Sequence, residues 1–474
     1  MLAETSMQVT PENQIVTPRP ALRLWFEAAL IAGGWQENVR LTVTAGVISR
    51  IECGVAAAPG DARGSVGVPG LANVHSHAFQ RGMSGLAETR GPAADSFWTW
   101  REVMYHFLDR LTPEDMEAIA AQAYVEMLEG GFVRVGEFHY VHRDCDGRPY
   151  DNPGELAERI CGAAAAAGIG LTLLPSFYAH SGFGGLPPTA GQRRFVTSLD
   201  EFARLHESAV RCARVLPRAT VGVAPHSLRA VTPGELELVV ALGGGGPIHL
   251  HAAEQVKEVA DCLAATGARP VEWLLDHAPL DRRWCLIHAT HMTPSETAAL
   301  ARSGATVGLC PVTEANLGDG VFPAAGFLAA GGRIGFGTDS NVAIGAAAEL
   351  CQLEYSQRLA SLGRNVLATA QGRSTGRSLY DLALAGGGAA LGVPPGDLTE
   401  GQPADVVSLA CDHASLAARE RGDAILDRFV FGGRSGYAVD RVWIGGVEKV
   451  SAGRHHRREG ISAAYRRTLR RLLS

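Results

Sequence analysis

The chain has 474 residues, of which 46% are hydrophobic and 19% are charged, a composition that excludes a mainly disordered protein. This length fits one large enzyme-sized domain with a smaller one beside it. A net charge of −6, from 43 basic and 49 acidic residues, gives no overall electrostatic basis for binding nucleic acid. The apolar stretches fall short of the roughly 20 residues of a membrane span, and residues 1–14 contain acids but no apolar core, unlike a signal peptide. The nine cysteines are scattered without C-x-x-C spacing, so we expect a cytoplasmic protein that binds no membrane.

Strand-like alternation runs through residues from about 20 to 68, with glycine turns between the segments. A similar pattern returns late in the chain, in PADVVSLACD and DRVWIGGVEKVSAG. These two regions predict a small β-sandwich domain built from both chain ends, residues 1–68 and 396–474. The last segment, SAAYRRTLRRLLS, has the spacing of a surface helix with a basic face.

The middle of the chain, residues 69–395, contains eight short apolar runs separated by longer helix-like segments. In chain order these runs are VPGLANVHSH, GFVRVGEFHY, GIGLTLLPSFY, ATVGVAPHS, GPIHLHAAE, WCLIHATH, ATVGLCP and RIGFGTDSN. Eight strand–helix units predict an α/β fold of the (β/α)8 TIM-barrel type. The alternative, a doubly wound open sheet, lacks the G-x-G-x-x-G turn expected after its first strand. Polar residues end nearly every run, at the barrel face where catalytic residues lie.

Histidines at two of these strand ends and an aspartate at a third suggest a metal site. His75 and His77 are two residues apart, a spacing that puts both imidazoles on one face of an extended chain. His249 and His251 repeat the spacing in IHLHAAEQ, and Asp339 closes the last apolar run. Neutral imidazoles with one carboxylate suit Zn²⁺ or Fe²⁺ with a position open for water.

Four motifs together resemble the amidohydrolase superfamily: HSH in the first strand, HLHAAE in the fifth, IHATH in the sixth and GTDSN in the eighth. A narrower resemblance, to the formimidoylglutamate deiminases, lies in HSHAFQRGMSGLAETRG, SFWTWREVMY, GEFHYVH and APHSLRAV. This resemblance covers essentially the full chain. It implies a metal-dependent hydrolase that converts N-formimino-L-glutamate and water to N-formyl-L-glutamate and ammonia in histidine degradation.

The resemblance also implies roles for single residues. The expected metal ligands are His75, His77, His251 and Asp339. Asp339 would accept a proton from the attacking water, His288 would orient that water, and Glu254 would protonate the departing nitrogen. His249 would not be a ligand. The expected substrate-binding residues are Gln80, Arg101, Tyr140, His226 and Arg229, because each carboxylate of a dicarboxylate substrate suits an arginine.

The lysine content bears on the number of metal ions. Binuclear members of the superfamily bridge two ions with a carboxylated lysine after the fourth strand, but this chain has only Lys257 and Lys449, and neither follows that strand. We therefore predict one divalent ion per subunit, with Zn²⁺ favoured and Fe²⁺ or Mn²⁺ as alternatives. The resemblance further suggests a homodimer. Two other functions remain open: a related deaminase acting on a nucleobase or nucleoside, and a non-catalytic scaffold without metal.

Overall fold

The computed structural model describes residues 21–92, 94–411, 422–433 and 438–474. The interpretation that residues 1–14 are not a signal peptide therefore lies outside the described residues. None of the helices in the described part of the chain is both long enough and apolar enough to cross a membrane.

The described helices alternate with strands through the middle of the chain. The helices are α1 (Phe97–Leu108), α2 (Pro113–Glu129), α3 (Glu155–Ala167), α4 (Leu199–Ala213), α5 (Pro233–Leu242), α6 (Val256–Thr266), α7 (Pro270–His277), α8 (Pro294–Ser303), α9 (Pro311–Leu317), α10 (Ala324–Ala329), α11 (Ala346–Ser361), α12 (Thr375–Ala390), α13 (Ala424–Phe431) and α14 (Arg458–Leu473). Two 3₁₀-helices, η1 (Ala78–Met83) and η2 (Ala190–Gln192), lie among them.

The described strands form two sheets. The strands are β1 (Leu22–Ile31), β2 (Gly34–Thr44), β3 (Val47–Glu52), β4 (Ala62–Pro69), β5 (Leu71–Ser76), β6 (Phe132–His139), β7 (Gly170–Phe177), β8 (Thr220–Val221), β9 (Ala224–Pro225), β10 (Ile248–Ala252), β11 (Trp284–His288), β12 (Thr306–Leu309), β13 (Arg333–Phe336), β14 (Val406–Leu409), β15 (Val439–Ile444), β16 (Val447–Ser451) and β17 (Arg454–His455).

The eight predicted barrel strands are all present and parallel, in the order β10-β11-β12-β13-β5-β6-β7-β8. The fourth strand is broken into β8 and β9, and both pieces pair with β7. Two parallel bridges, Val223 to Ile248 and Ser227 to His251, join the fourth strand to the fifth and close the barrel. All residues of β6 and β7 are buried, as expected for strands covered on both faces. The predicted TIM-barrel fold is confirmed.

A repeated T-P-x-[D/E] motif explains where several barrel helices begin. In α2, α5 and α8, the threonine (Thr112, Thr232 or Thr293) caps the helix and proline occupies the first turn. The acidic side chain three residues later accepts a hydrogen bond from the backbone N–H of the threonine. Such capping boxes satisfy amide groups that would otherwise lack partners, and so they fix the start of each helix after its strand.

The predicted β-domain from both chain ends is also present. Its eight strands form one connected sheet in the order β17-β16-β15-β14-β4-β1-β2-β3. The sheet curls around its own core, in which Phe26 of β1 packs against Trp443 of β15 with ring centroids 6.0 Å apart. Ala404 connects the turn between β2 and β3 to the turn between β15 and β16. Its N–H donates to the Gly46 carbonyl, and its carbonyl accepts from the Gly446 N–H. The exact domain boundaries at residues 68 and 396 stay predictions.

The floor of the barrel is filled by the chain that follows the eighth strand. Ala390 and Leu391, at the end of α12, cluster with Val74, Cys285 and Ile287 inside the barrel. Thr172 of β7 donates a hydrogen bond to the Leu391 carbonyl at 3.2 Å. The barrel interior is therefore a packed core, and the candidate site lies at the carboxyl ends of its strands.

Candidate active site

Four of the residues singled out in the sequence converge at the carboxyl ends of the barrel strands. Each offers one ligand atom, and these atoms all lie within 4.8 Å of one another; the residues are His75, His77, His251 and Asp339. Asp339 Oδ1 lies 3.3 Å from Nε2 of both His75 and His77, and Nε2 of His251 lies 3.2 Å from Nε2 of His75. All four side chains are buried. The sequence prediction of this cluster therefore agrees with the geometry.

The backbone orients two of these imidazoles. Nδ1 of His77 donates to the Phe138 carbonyl at 2.9 Å, and Nδ1 of His251 donates to the His226 carbonyl at 2.9 Å. Each ring then turns an unprotonated Nε2 toward the centre of the cluster. Burial lowers the pKa of His75, His77 and His251, so the rings are neutral at pH 7.

This donor set fits one divalent ion. The Nε2 atoms of His75 and His251, only 3.2 Å apart, would repel as two bare acceptors, and a cation between them removes that conflict. Ligand atoms about 2.0–2.2 Å from a shared zinc ion lie roughly 3.4 Å apart in a tetrahedral arrangement, close to the separations here. The cluster is a metal site of the His-His-His-Asp type.

Two asparagines that sequence reasoning missed hold the ligand-bearing strands together. Asn73 accepts hydrogen bonds from the backbone N–H groups of His75 and Thr338, and it donates to the Thr338 hydroxyl at 2.7 Å. Asn341 donates to the carbonyls of His77 and Asp339. The sequence did contain a signal for these two residues, because an asparagine lies two residues from a metal ligand in both LANVHSH and GTDSN.

His288 lies beside the metal cluster in a ring of carboxylates. Its Nε2 is 3.8 Å from Glu254 Oε1, and its Nδ1 is 3.2 Å from Glu314 Oε1. Burial lowers the pKa of His288, but Glu254, Glu314 and Asp339 outweigh that effect and raise the pKa to about 10. Glu314 was missed because it follows the seventh strand, and no spacing in the sequence ties it to His288.

One cavity connects the metal cluster to the other predicted residues. The predicted side chains that line it are His77, Gln80, Arg101, Tyr140, His226, Arg229, His251, Glu254, His288 and Asp339. The aromatic residues Phe97, Trp100, Tyr105, Tyr178 and Phe195 complete its wall. The cavity thus brings two arginines and several aromatic side chains together with residues of the metal cluster.

The two predicted arginines reach the cavity from different parts of the barrel. Arg101 belongs to α1, and Arg229 follows β9. The Cζ atom of Arg101 lies 4.6 Å from the centre of the Trp98 ring, and that of Arg229 lies 5.9 Å from it. Among the described residues, neither guanidinium forms a hydrogen bond or an ion pair within 4 Å, and the buried Nε atom of each is without a partner. Burial makes an unpartnered guanidinium costly, so both side chains are ready to bind an anion.

Gln80, Tyr140 and His226 are polar residues of the cavity wall, and the last two lie beside histidines of the metal cluster. Gln80 Nε2 donates to the Tyr140 hydroxyl at 2.8 Å, and that hydroxyl donates to the Met104 sulfur at 3.1 Å. Gln80 Oε1 is buried without a partner in the described structure, so it is an acceptor open to a ligand. The His226 ring packs against His251 at 4.8 Å.

His249 and the two lysines lie outside the metal cluster. His249 Nε2 donates to the Ala390 carbonyl at 2.7 Å on the barrel floor, which agrees with the expectation that it is not a ligand. Lys257 pairs with Asp261 on the exposed face of α6. Lys449 belongs to β16 of the curled sheet. A lysine that could bridge a second ion is therefore absent from the cluster.

We expect metal titration of the apoenzyme to saturate at one equivalent per chain. Replacing His251 by alanine removes one of the four ligands, and we expect purified H251A to retain less than a tenth of the wild-type metal. H249N keeps a donor for Ala390 and serves as the matched control, with full metal content expected. Elemental analysis of the purified proteins measures both. Saturation at two equivalents would contradict the single-ion site.

Two family models match the chain. The model described as the amidohydrolase family matches residues 66–449, and the model described as formimidoylglutamate deiminase HutF, N-terminal domain, matches residues 24–65. A formimidoylglutamate deiminase of Pseudomonas aeruginosa is 49% identical over 452 residues, which cover 95% of this chain and 99% of that protein. The similarity thus extends through both sheets.

Solved structures give the same result for the fold. An amidohydrolase from Brucella melitensis is 56% identical, with a TM-score of 0.92 over 96% of this chain and 100% of that one. An adenosine deaminase from Xanthomonas campestris, crystallised with bound zinc, is 23% identical, with a TM-score of 0.79 over 95% of this chain and 98% of that one. At that identity the second structure shows a common fold only.

Proposed function

This chain belongs to the amidohydrolase family and is homologous to formimidoylglutamate deiminases, and on that premise we propose that it hydrolyses N-formimino-L-glutamate. The formimino group, HN=CH–NH–, takes up one water and becomes O=CH–NH–, with release of one ammonia. The product is N-formyl-L-glutamate, and the reaction belongs to histidine degradation.

The observation that carries this proposal is the pair of guanidinium groups in the same cavity as the metal cluster. Arg101 and Arg229 are without hydrogen-bonding partners in the described structure, and the substrate brings two carboxylates to them. The Trp98 ring lies 4.6 Å from Arg101 Cζ and 5.9 Å from Arg229 Cζ, and an apolar neighbour strengthens ion pairs that form beside it. Gln80, Tyr140 and His226 line the same cavity, and we assign them contacts with the rest of the substrate.

The metal site supplies Lewis-acid chemistry when a divalent ion is bound, and such an ion lowers the pKa of water toward neutrality. Asp339 is the base that takes the proton from the attacking water. His288, held by Glu254 on one side and Glu314 on the other, orients the water and stabilises negative charge that develops as it adds to the amidine carbon.

Glu254 then delivers a proton to the departing nitrogen, because an amide anion is too basic to leave at pH 7. Burial raises the pKa of Glu254, and the nearby Glu258 carboxylate adds to this rise while His288 opposes it. A raised pKa suits a general acid that must hold its proton near neutral pH.

Three further features belong to the proposal. Zn²⁺ is the proposed ion, since three imidazoles and one carboxylate suit it, and Fe²⁺ and Mn²⁺ are the alternatives. A cytoplasmic location is supported by the cysteine pattern, because the nine cysteines are scattered along the chain without the spacing of a disulfide framework. A homodimer is proposed from the family resemblance alone.

Ammonia release tests the proposal directly. We expect metal-loaded enzyme to release ammonia rapidly from N-formimino-L-glutamate, at least 100-fold more slowly from N-formimino-glycine, which has one carboxylate, and not at all from adenosine. Activity on adenosine instead would favour the alternative, a nucleoside deaminase, and would leave the two arginines without a role. Inactivity on all three compounds with a full metal site would favour the non-catalytic scaffold.

A further inference from the structure

Glu258 is a buried carboxylate next to the proposed general acid, and the mechanism above does not use it. It belongs to the first turn of α6 and is 1% exposed. Its Oε1 accepts the backbone N–H of Ala253 at 3.2 Å, and its Oε2 accepts the backbone N–H of Glu254 at 3.1 Å. Both oxygens of Glu258 therefore bind the short segment that connects β10 to α6.

That segment fixes where Glu254 lies. Ala253 has φ +50°, in the left-handed region that residues with a Cβ rarely occupy, so the turn needs contacts that hold it. Among the described residues, the Glu254 carboxylate has no hydrogen bond, and its ion contact is the one to His288 at 3.8 Å. The backbone of Glu254, rather than its side-chain contacts, thus determines which atom of the substrate its carboxyl group reaches.

Glu258 also interacts electrostatically with Arg229, one of the two arginines that line the cavity. Burial lowers the pKa of Arg229, and the charge of Glu258 is the main effect that offsets this and raises the pKa overall. The two groups interact through space, because no ion pair within 4 Å joins them in the described structure. Glu258 therefore balances the charge of Arg229 while leaving the guanidinium donors free for an anion.

We propose that Glu258 is a positioning residue for this hydrolysis: its carboxylate holds the Ala253–Glu254 turn, so that the Glu254 carboxyl group reaches the departing nitrogen of the substrate. This inference rests on the proposed function, since it assigns Glu258 a role in protonating the leaving nitrogen. This positioning role differs from ordinary helix capping, in which the Glu258 carboxylate would contribute only to the stability of α6.

The test compares two variants with the wild-type enzyme on N-formimino-L-glutamate. E258Q keeps the size of the side chain but can accept only one of the two N–H groups, and E258M accepts neither. We expect kcat to fall about 10-fold in E258Q and about 100-fold in E258M, with metal content unchanged. KM should not rise, because removing a negative charge near Arg229 does not weaken its attraction for a carboxylate.

A double-mutant cycle with Glu254 separates positioning from a structural role. If Glu258 acts through Glu254, then adding E258Q or E258M to an E254Q enzyme should lower kcat less than 3-fold further. Losses that multiply, or an unchanged kcat in the single variants, would overturn the inference. E258Q carries the test on its own if E258M does not fold.

The matched control is Glu296→Gln. Glu296 occupies the same position in the first turn of α8, is buried, and accepts the Thr293 N–H at 2.7 Å, but it makes no contact with the segment between β10 and α6 in the described structure. We expect E296Q to lower Tm without changing kcat. If the wild-type enzyme releases no ammonia from N-formimino-L-glutamate, the proposed function is wrong and the inference falls with it. If the wild type is active and E258Q behaves like E296Q, only the inference is wrong.

Discussion

Replacement of Glu254 by glutamine is expected to lower kcat for N-formimino-L-glutamate by about 10³-fold, the size of effect that a general acid supplies. The amide has the shape of the carboxyl group but cannot donate a proton to the departing nitrogen. Because Glu254 is not among the four clustered ligands, E254Q should retain its full metal content. Steady-state ammonia release and elemental analysis of the same preparation measure both quantities.

Glu237→Gln is the matched control, since Glu237 is exposed on α5 and lies outside the cavity lining. We expect E237Q to match the wild type in both kcat and metal content. An E254Q enzyme within 10-fold of wild-type kcat would remove Glu254 from the role of proton donor. A loss of metal in E254Q would show instead that this carboxylate supports the ligand cluster.

Replacement of either arginine by methionine is expected to lower kcat/KM by a large factor without loss of metal. For Arg229→Met, which removes a buried charge, we expect a loss of roughly 10³-fold. For Arg101→Met we expect a smaller loss of roughly 10²-fold, because Arg101 is only partly buried. At such a site, water can solvate the substrate carboxylate when the guanidinium is removed. The comparison uses purified, metal-loaded variants with N-formimino-L-glutamate.

N-formimino-glycine shows which arginine binds which carboxylate. The arginine that binds the side-chain carboxylate has no partner in this smaller compound, so its replacement should cost little further activity there. Replacing the other arginine should cost as much as it does with the full substrate. Arg302→Met, on the exposed face of α8, is the control. Unchanged kinetics in both R101M and R229M would place the carboxylate-binding site elsewhere.

The local features of the fold could be predicted from the sequence because their signals are local. Each barrel strand is a short apolar run, and the ligands His75, His77 and His251 occur in motifs where neighbours along the chain define the pattern. Asp339 was found for the same reason, since it ends an apolar run in GTDSN. The barrel as a whole follows from counting such runs.

The features that the sequence could not predict depend on pairing between distant segments. Glu314 meets His288 only because β11 and β12 are neighbours in the barrel, so that the residues after these strands come together. The single connected sheet of the β-domain depends on β1 pairing with β4 in parallel, which alternation alone does not specify. The break between β8 and β9 likewise has no clear signal in an apolar run.

The role of Glu258 could be predicted from the sequence only in part. Its spacing of four residues from Glu254 in HAAEQVKE was visible, but that spacing on a helix indicates only a common face. Glu254 lies before the helix, which begins at Val256, so the four-residue spacing does not describe a common helix face here. The Glu258 side chain instead reaches back to the turn at Ala253. A residue's role at a strand–helix junction thus depends on where the helix begins.

The pairing of β4 with β14 has a consequence for how the chain is made. Val68 of β4 pairs with Val407 of β14, so the ribosome must synthesise the entire barrel before this edge of β4 finds its partner. The nascent chain carries an exposed strand edge throughout that interval, which is the kind of surface that invites aggregation. Loss of the C-terminal strands would therefore lower the yield of folded protein more than their distance from the metal cluster suggests. The reason is that the sheet containing β4 is begun before the barrel is synthesised and is completed only after it.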